Sequence, residues 1–207
     1  MEFEITNVKN IYEAIASEFS DKRYNKWDWI DEFINSFPNN STMLDIGCGN
    51  GRNMLNTKHC FFGIDNCEQF VKISLERNLQ VILSDMTSLP FMNNYFDGII
   101  SIASFHHLST TERRENALAE MKRVLKPNGR LLLSIWSINQ SHNKKLHNKF
   151  VYGDNIIPWK DSKGNIKGNR YYYIFNIEEI KQLLEKYFVI ENHFWNHGNE
   201  IFICKKI

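Results

Sequence analysis

The stretch LDIGCGNGRNM, Leu44 to Met54, runs an apolar segment straight into a turn with glycine at alternate positions, Gly47, Gly49 and Gly51. The apolar part reads as a buried strand, and glycine at every second place leaves bare backbone on which a nucleotide can lie. A strand feeding such a turn constrains the rest of the chain, which must alternate strand and helix to cover both faces of a parallel sheet. That alternation is present. Strand patterns run over 42–46, 60–64, 80–83, 96–102 and 130–136, and helical patterns over 51–56, 68–77 and 177–187. A further helix opens at Ser109 or Thr110, which can cap it, and ends at KPNG. The last two runs, 189–195 and 201–204, are separated only by a short hairpin, which makes the final strand antiparallel. Ahead of the sheet, apolar residues at helical spacing predict two helices split by the polar break SDKRYNK, with Pro38 closing the second.

The chain of 207 residues is long enough for one sizeable core and short for two. No apolar run approaches the length of a bilayer span, and the first ten residues carry acids and no apolar core of a signal peptide. A cytoplasmic or nuclear location is the expectation. The four cysteines form no CxxC pair, so neither a zinc site nor a disulfide framework is expected. Net charge is +1, but 138–170 holds seven Lys or Arg against two acids, and is expected to be a basic, loop-like insertion.

A dinucleotide turn prefers G-x-G-x-x-G, and here its third glycine is replaced by Arg52. Asp65 and Asp85 end the second and third strands, where one carboxylate can take ribose hydroxyls and the other the adenine amino group. Asp45, just before the turn, can orient it or meet an ammonium through water. A ligand with an ammonium, a ribose and an adenine but no phosphate suits this set, and S-adenosylmethionine is that ligand. The plain alternative for each acid is a strand-end residue capping the next helix.

The runs IASEFSDKRYNKW, FFGIDNCEQFVKI, SDMTSLPF, HHLSTTERR, IIPW and RYYYIF, in this order and with the glycine turn, resemble the eukaryotic tRNA wobble-uridine carboxymethyl methyltransferases. Two departures from that family's pattern are Lys22, where Thr is usual, and Tyr173, where His is usual. The resemblance implies a Rossmann-like, seven-stranded class I methyltransferase fold that uses S-adenosylmethionine to esterify 5-carboxymethyluridine in the tRNA anticodon loop. It also implies a small zinc-binding activator protein forming a heterodimer. In the usual strand order of this fold the third strand is an edge, and its apolar Val81, Ile82 and Leu83 are the expected docking site. The chain is expected to be one domain: N-terminal helices 1–40, cofactor-binding core 41–137, basic substrate-facing insertion 138–173, and final helix and hairpin 174–207.

Candidates to hold the acceptor carboxylate are Arg23, His106 and Arg170, with Trp136 and Tyr171 to Tyr173 as candidates for contact with the nucleoside. Arg23 could instead grip the cofactor's own carboxylate. Of His106 and His107, at most one is expected to face the site, since adjacent side chains diverge. Cofactor candidates are Asp45, Gly47, Cys48, Gly49, Gly51, Asp65, Asn66, Asp85, Met86 and Ile102. Lys144, Lys145, Lys149, Lys160, Lys163 and Lys167 are the candidates for RNA contact, interleaved with aromatic residues. No metal ligands are expected. Other readings are a small-molecule methyltransferase acting on a carboxylic acid or quinone, and a non-catalytic RNA-binding scaffold.

Overall fold

The computed structural model describes residues 2–22, 25–55, 57–143, 149–161 and 163–207. Its centre is a seven-stranded sheet in the order β3-β2-β1-β4-β5-β9-β8. The strands are β1 (Thr42–Ile46), β2 (Cys60–Asp65), β3 (Gln80–Leu83), β4 (Phe96–Ile102), β5 (Leu125–Trp136), β8 (Val189–Asn196) and β9 (Asn199–Lys205). The first five are mutually parallel, and β9 runs antiparallel to both β5 and β8, as the short hairpin required.

Burial on both faces follows the two-residue period of a strand. On β1, Leu44 and Ile46 join a cluster with Ala117, Leu118 and Met121 of α5 (Thr111–Val124) and Ile180 and Leu184 of α6 (Ile177–Glu185). Met43 points the other way, into a cluster with Trp29, Ile30, Phe33 and Ile34 of α3 (Asp28–Asn35). Both long-range helices start at side-chain caps: Thr110 accepts from the Arg113 amide and Asn176 from the Glu178 amide. A helical segment made of α1 (Glu2–Glu4), a π-helical stretch Ile5–Lys9 and α2 (Asn10–Asp21) crosses the end of the sheet and packs on α4 (Glu68–Glu76). The Glu13 carboxylate accepts from the first two amides of α4.

Two expectations change. No α-helix follows the glycine turn among the described residues: Arg52–Met54 is a single 3₁₀ turn, and Leu55 is already extended. The asparagines there compete with helix formation, Asn50 accepting from the Arg52 amide and Asn53 donating to Asp45. The segment 138–170 is no loop. It contains β6 (Gly153–Lys160), paired antiparallel with β7 (Ile166–Ile174) as a separate two-stranded sheet. The Asp161 side chain closes this hairpin by accepting from the Lys163 and Asn165 amides. No helix among the described residues is long and apolar enough to cross a membrane.

Leu132, fully buried on the interior strand β5, is expected to cost about 2–5 kcal/mol as Leu132→Ala in urea unfolding. Ile166→Ala, at a side chain 60% exposed on the hairpin, should stay within about 0.5 kcal/mol.

Candidate active site

A cavity of about 670 Å³ opens at the carboxyl ends of β1, β2, β4 and β5. It is roofed by the N-terminal helical segment and walled on one side by the β6–β7 hairpin. In an open α/β sheet this is the crevice where ligands bind.

One half of it is built from strand ends. Gly47 has φ +71°, and a Cβ there would collide with Ser104, whose hydroxyl donates to the Ile46 carbonyl. Only glycine lets the turn after β1 and the loop after β4 approach so closely. Gly49, also left-handed, has no atom within 4 Å of where its Cβ would stand. Beside it, the buried Asp65 carboxylate accepts from the Gly49 amide at 2.8 Å and the Cys67 amide at 2.9 Å. Burial pushes its pKa up to about 6, against the pull of those two amides. Cys48, Asn66, Met86 and Ile102 line this half with them. Asp85 accepts from the Thr87 amide and hydroxyl, and from Arg113 at 2.6 Å. Burial acts to raise its pKa, but these hydrogen bonds and the guanidinium charge outweigh it and hold the carboxyl below its ordinary range. Arg113 also pairs with Glu4 of α1 at 2.8 Å.

Two members of the sequence-derived set lie away from the cavity. Asp45 does not line it: on β1 it shares the parity of Met43, so its side chain faces the α3 side, where Asn53 donates to it at 3.3 Å. Burial raises its pKa to about 7. Gly51 is glycine for packing, since a Cβ there would strike Leu79 of the chain leading into β3.

The other half joins the 3₁₀ turn Phe105–His107, the end of β5 and the inner face of the hairpin. His106 is fully buried, and its Nδ1 accepts from the Trp136 amide at 3.0 Å, which leaves the proton on Nε2. Nε2 has no partner among the described residues. His107 donates from Nδ1 to the Tyr171 carbonyl at 2.7 Å, so its Nε2 accepts from the Tyr12 hydroxyl at 3.0 Å. Burial holds both rings neutral, His106 well below its usual range and His107 down to about 3. Both rings line the cavity, because the tight turn sets them edge to face, 4.7 Å apart, instead of splaying them.

Arg170 of β7 is 6% exposed. Its guanidinium lies over the rings of Trp159 (4.8 Å), Tyr172 (5.2 Å) and Tyr12 (5.6 Å) and donates to the Tyr12 hydroxyl at 3.2 Å. It makes no ion pair with any described residue. Tyr171 is a correction. Strand neighbours point to opposite faces, so Tyr171 faces away from the cavity and bonds to Asp154 at 2.7 Å, while Tyr172 shares the side of Arg170. One face of Trp136 is covered by Tyr172, stacked at 4.2 Å. Lys149, Lys160, Lys163 and Lys167 are exposed on or beside the hairpin, outside the cavity. Arg23, Lys144 and Lys145 lie outside the described residues. Of the three tyrosines the sequence offered, Tyr172 is the one on the cavity side, at two-residue spacing from Arg170. Glu4, Tyr12 and Arg113 were not singled out from the sequence, and none of them carries a local signal.

Residues 44–133 match the family described as "Methyltransferase domain". The chain is 33% identical over 204 residues to a tRNA (carboxymethyluridine(34)-5-O)-methyltransferase of Schizosaccharomyces pombe, with 89% of each covered. It is 39% identical over 146 residues to the Arabidopsis thaliana protein of the same name, covering 70% of this chain but only 36% of that one. Among solved structures it matches a SAM-dependent methyltransferase from Methanosarcina mazei, with TM-score 0.72, 20% identity and 88% and 99% of the two chains covered. It also matches a structure of a Haloferax volcanii methyltransferase in complex with the Trm112 methyltransferase activator, with TM-score 0.69, 14% identity and 94% and 97% covered. The glycine turn, the buried strand-end carboxylate and the sheet order thus coincide with a relative matched along almost its whole length, and the chain belongs to the tRNA (carboxymethyluridine(34)-5-O)-methyltransferase family of class I, S-adenosylmethionine-dependent enzymes.

Proposed function

We propose that this chain methylates the carboxylate of 5-carboxymethyluridine at the wobble position of a tRNA anticodon, giving the methyl ester, with a small zinc-binding activator protein as its partner. The observation that carries this reading is Arg170, a buried cation with aromatic walls and no acid beside it among the described residues. Burying a charge is costly unless an opposite charge or hydrogen bonds compensate, and a substrate carboxylate supplies both.

The cofactor half fits S-adenosylmethionine. The open space at Gly49 takes a ligand lying on the backbone, and Asp65 has lone pairs left for the ribose hydroxyls after accepting its two amides. Asp85 reaches the adenine side as a pair already neutralised by Arg113. When bound, the cofactor supplies an electrophilic methyl group on a sulfonium.

The rest is alignment and charge placement. A carboxylate acceptor is ionised at pH 7 and requires no general base, which accords with two histidines held neutral beside the cavity. Arg170 binds the acceptor, and the Trp136, Tyr172 and Phe19 walls keep water from competing, which strengthens the pairing. One of its N–H groups is already committed to Tyr12, so the acceptor is held without being enclosed by donors. The exposed lysines of the hairpin sit next to this pocket and would meet the phosphates of the anticodon stem-loop. The activator reading rests on β3, an edge strand with Ile82 42% and Leu83 47% exposed, which can take an added strand.

The direct test is methyl transfer to an anticodon stem-loop carrying 5-carboxymethyluridine, with the activator present. Arg170→Met should lower kcat/KM roughly 100-fold, with S-adenosylmethionine affinity by calorimetry kept within about threefold. Methylation of free small acids but not of this RNA would overturn the reading. For the cofactor, the ribose hydroxyls bind ionised Asp65, whose pKa of about 6 makes binding weaken as pH falls through 6. Affinity measured from pH 7 to pH 5 should drop in the parent protein and stay flat in Asp65→Asn. Ile82→Lys combined with Leu83→Lys should abolish co-purification with the activator while circular dichroism stays unchanged.

A further inference from the structure

We propose that Tyr12 is a positioning residue for the acceptor carboxylate: its hydroxyl, held between His107 and Arg170, fixes the orientation of the Arg170 guanidinium. This rests on the reading of Arg170 as the carboxylate receptor.

The direction of each hydrogen bond from the Tyr171 carbonyl through His107 and Tyr12 to Arg170 is determined. The Tyr171 carbonyl can only accept, so His107 Nδ1 carries a proton and Nε2 offers a lone pair. The Tyr12 hydroxyl donates into that lone pair at 3.0 Å. Its oxygen is then the acceptor for Arg170, which can only donate, at 3.2 Å. Reversing any member would set two donors or two acceptors against each other. The arrangement also requires His107 to be neutral, as its burial ensures.

The guanidinium has little else to set its angle. Among the described residues its other contacts are ring faces, and a cation over a ring can turn in its own plane at small cost. Its Nε is buried with no partner among the described residues. The Tyr12 hydroxyl is therefore the directional contact, and its own ring is braced by Phe19 at 5.7 Å, Phe70 at 5.9 Å and His107 at 5.3 Å. With one N–H taken by Tyr12, the remaining donors face a carboxylate in one preferred orientation. Tyr12 belongs to α2, so the N-terminal segment sets the geometry of a receptor carried by β7.

Tyr12→Phe keeps the ring and removes only the hydroxyl. The measurement is binding of two anticodon stem-loops, one with 5-carboxymethyluridine and one with its uncharged methyl ester, alongside kcat and KM for the first. The parent protein should prefer the carboxylate form, and Tyr12→Phe should reduce that preference about tenfold, with the thermal midpoint and cofactor affinity unchanged. In an Arg170→Lys background the same change should alter the preference less than about twofold, since the two act as one unit. His107→Gln, which can still accept near the Nε2 position, should keep more of the preference than His107→Asn. An undiminished preference in Tyr12→Phe, or effects of Tyr12→Phe and Arg170→Lys that multiply, would overturn the proposal. A parent protein with no preference for the carboxylate form would overturn the receptor reading itself, and this inference with it.

Discussion

Two backbone amides, from the turn after β1 and from the start of α4, end on the one carboxylate of Asp65. That clamp fixes the distance between neighbouring strand ends, and the cofactor half of the cavity takes its shape from it. Gly49 is held with its open side clear, Gly47 is brought down onto the loop after β4, and Ser104 ties that loop back to β1. A carboxylate this buried would lose its charge near neutral pH without the two amides, and its raised pKa records how nearly the two effects balance. The same balance leaves Asp65 ionised when the ligand arrives and able to accept more hydrogen bonds.

Among the described residues, the three cavity-lining guanidiniums are treated differently by the fold. Arg113 is spent on Glu4 and Asp85, and so pins the first helical turn of the chain to the loop after β3. Arg52 lies over Trp27 and donates to the Asn25 carbonyl near the start of α3. Arg170 alone is enclosed by aromatic rings, with a hydroxyl as its hydrogen-bond partner. The proposed function, a negatively charged acceptor brought next to a positively charged donor, calls for this asymmetry. On that reading neutral histidines contribute to it, since a second cation beside Arg170 would hold the carboxylate too firmly to react.

Apart from the edge place of β3, which came from the family resemblance, the positions and parallel direction of the central strands were legible because their signal is local: apolar runs, glycine turns and capped amphipathic helices repeat at short range. The strand-end acids were legible for the same reason. Asp45 shows the limit, because its role turns on which face of β1 it occupies, and Met43 and Leu44 are both apolar. The hairpin was hidden because its lysines, glycines and asparagines mask the alternation, and the pairing of Ile157 with Arg170 has no signature in either segment. Tyr171, Tyr172 and Tyr173 were candidates together, and only the alternation along β7 separates Tyr172, on the side of Arg170, from Tyr171. The Glu4–Arg113 and Tyr12–Arg170 contacts join residues more than 100 positions apart, so no spacing rule reaches them.

The hairpin and the Tyr12–Arg170 contact lie together, which bears on how the fold divides its work. The cofactor half is made from strand ends of the core, and the sheet would place those residues whatever the acceptor. The acceptor half adds to the end of β5 and the turn after β4 an N-terminal helical segment and a hairpin that stand outside the seven-stranded sheet. Changing the hairpin would alter the receptor and leave the glycine turn intact, as the family's shared core requires. One continuous segment nevertheless touches both halves: Glu4 pairs with Arg113, which holds Asp85, and Tyr12 accepts from Arg170. On the proposed reading of Arg170, the receptor includes the Tyr12 hydroxyl, so it is complete only when the N-terminal segment is in place.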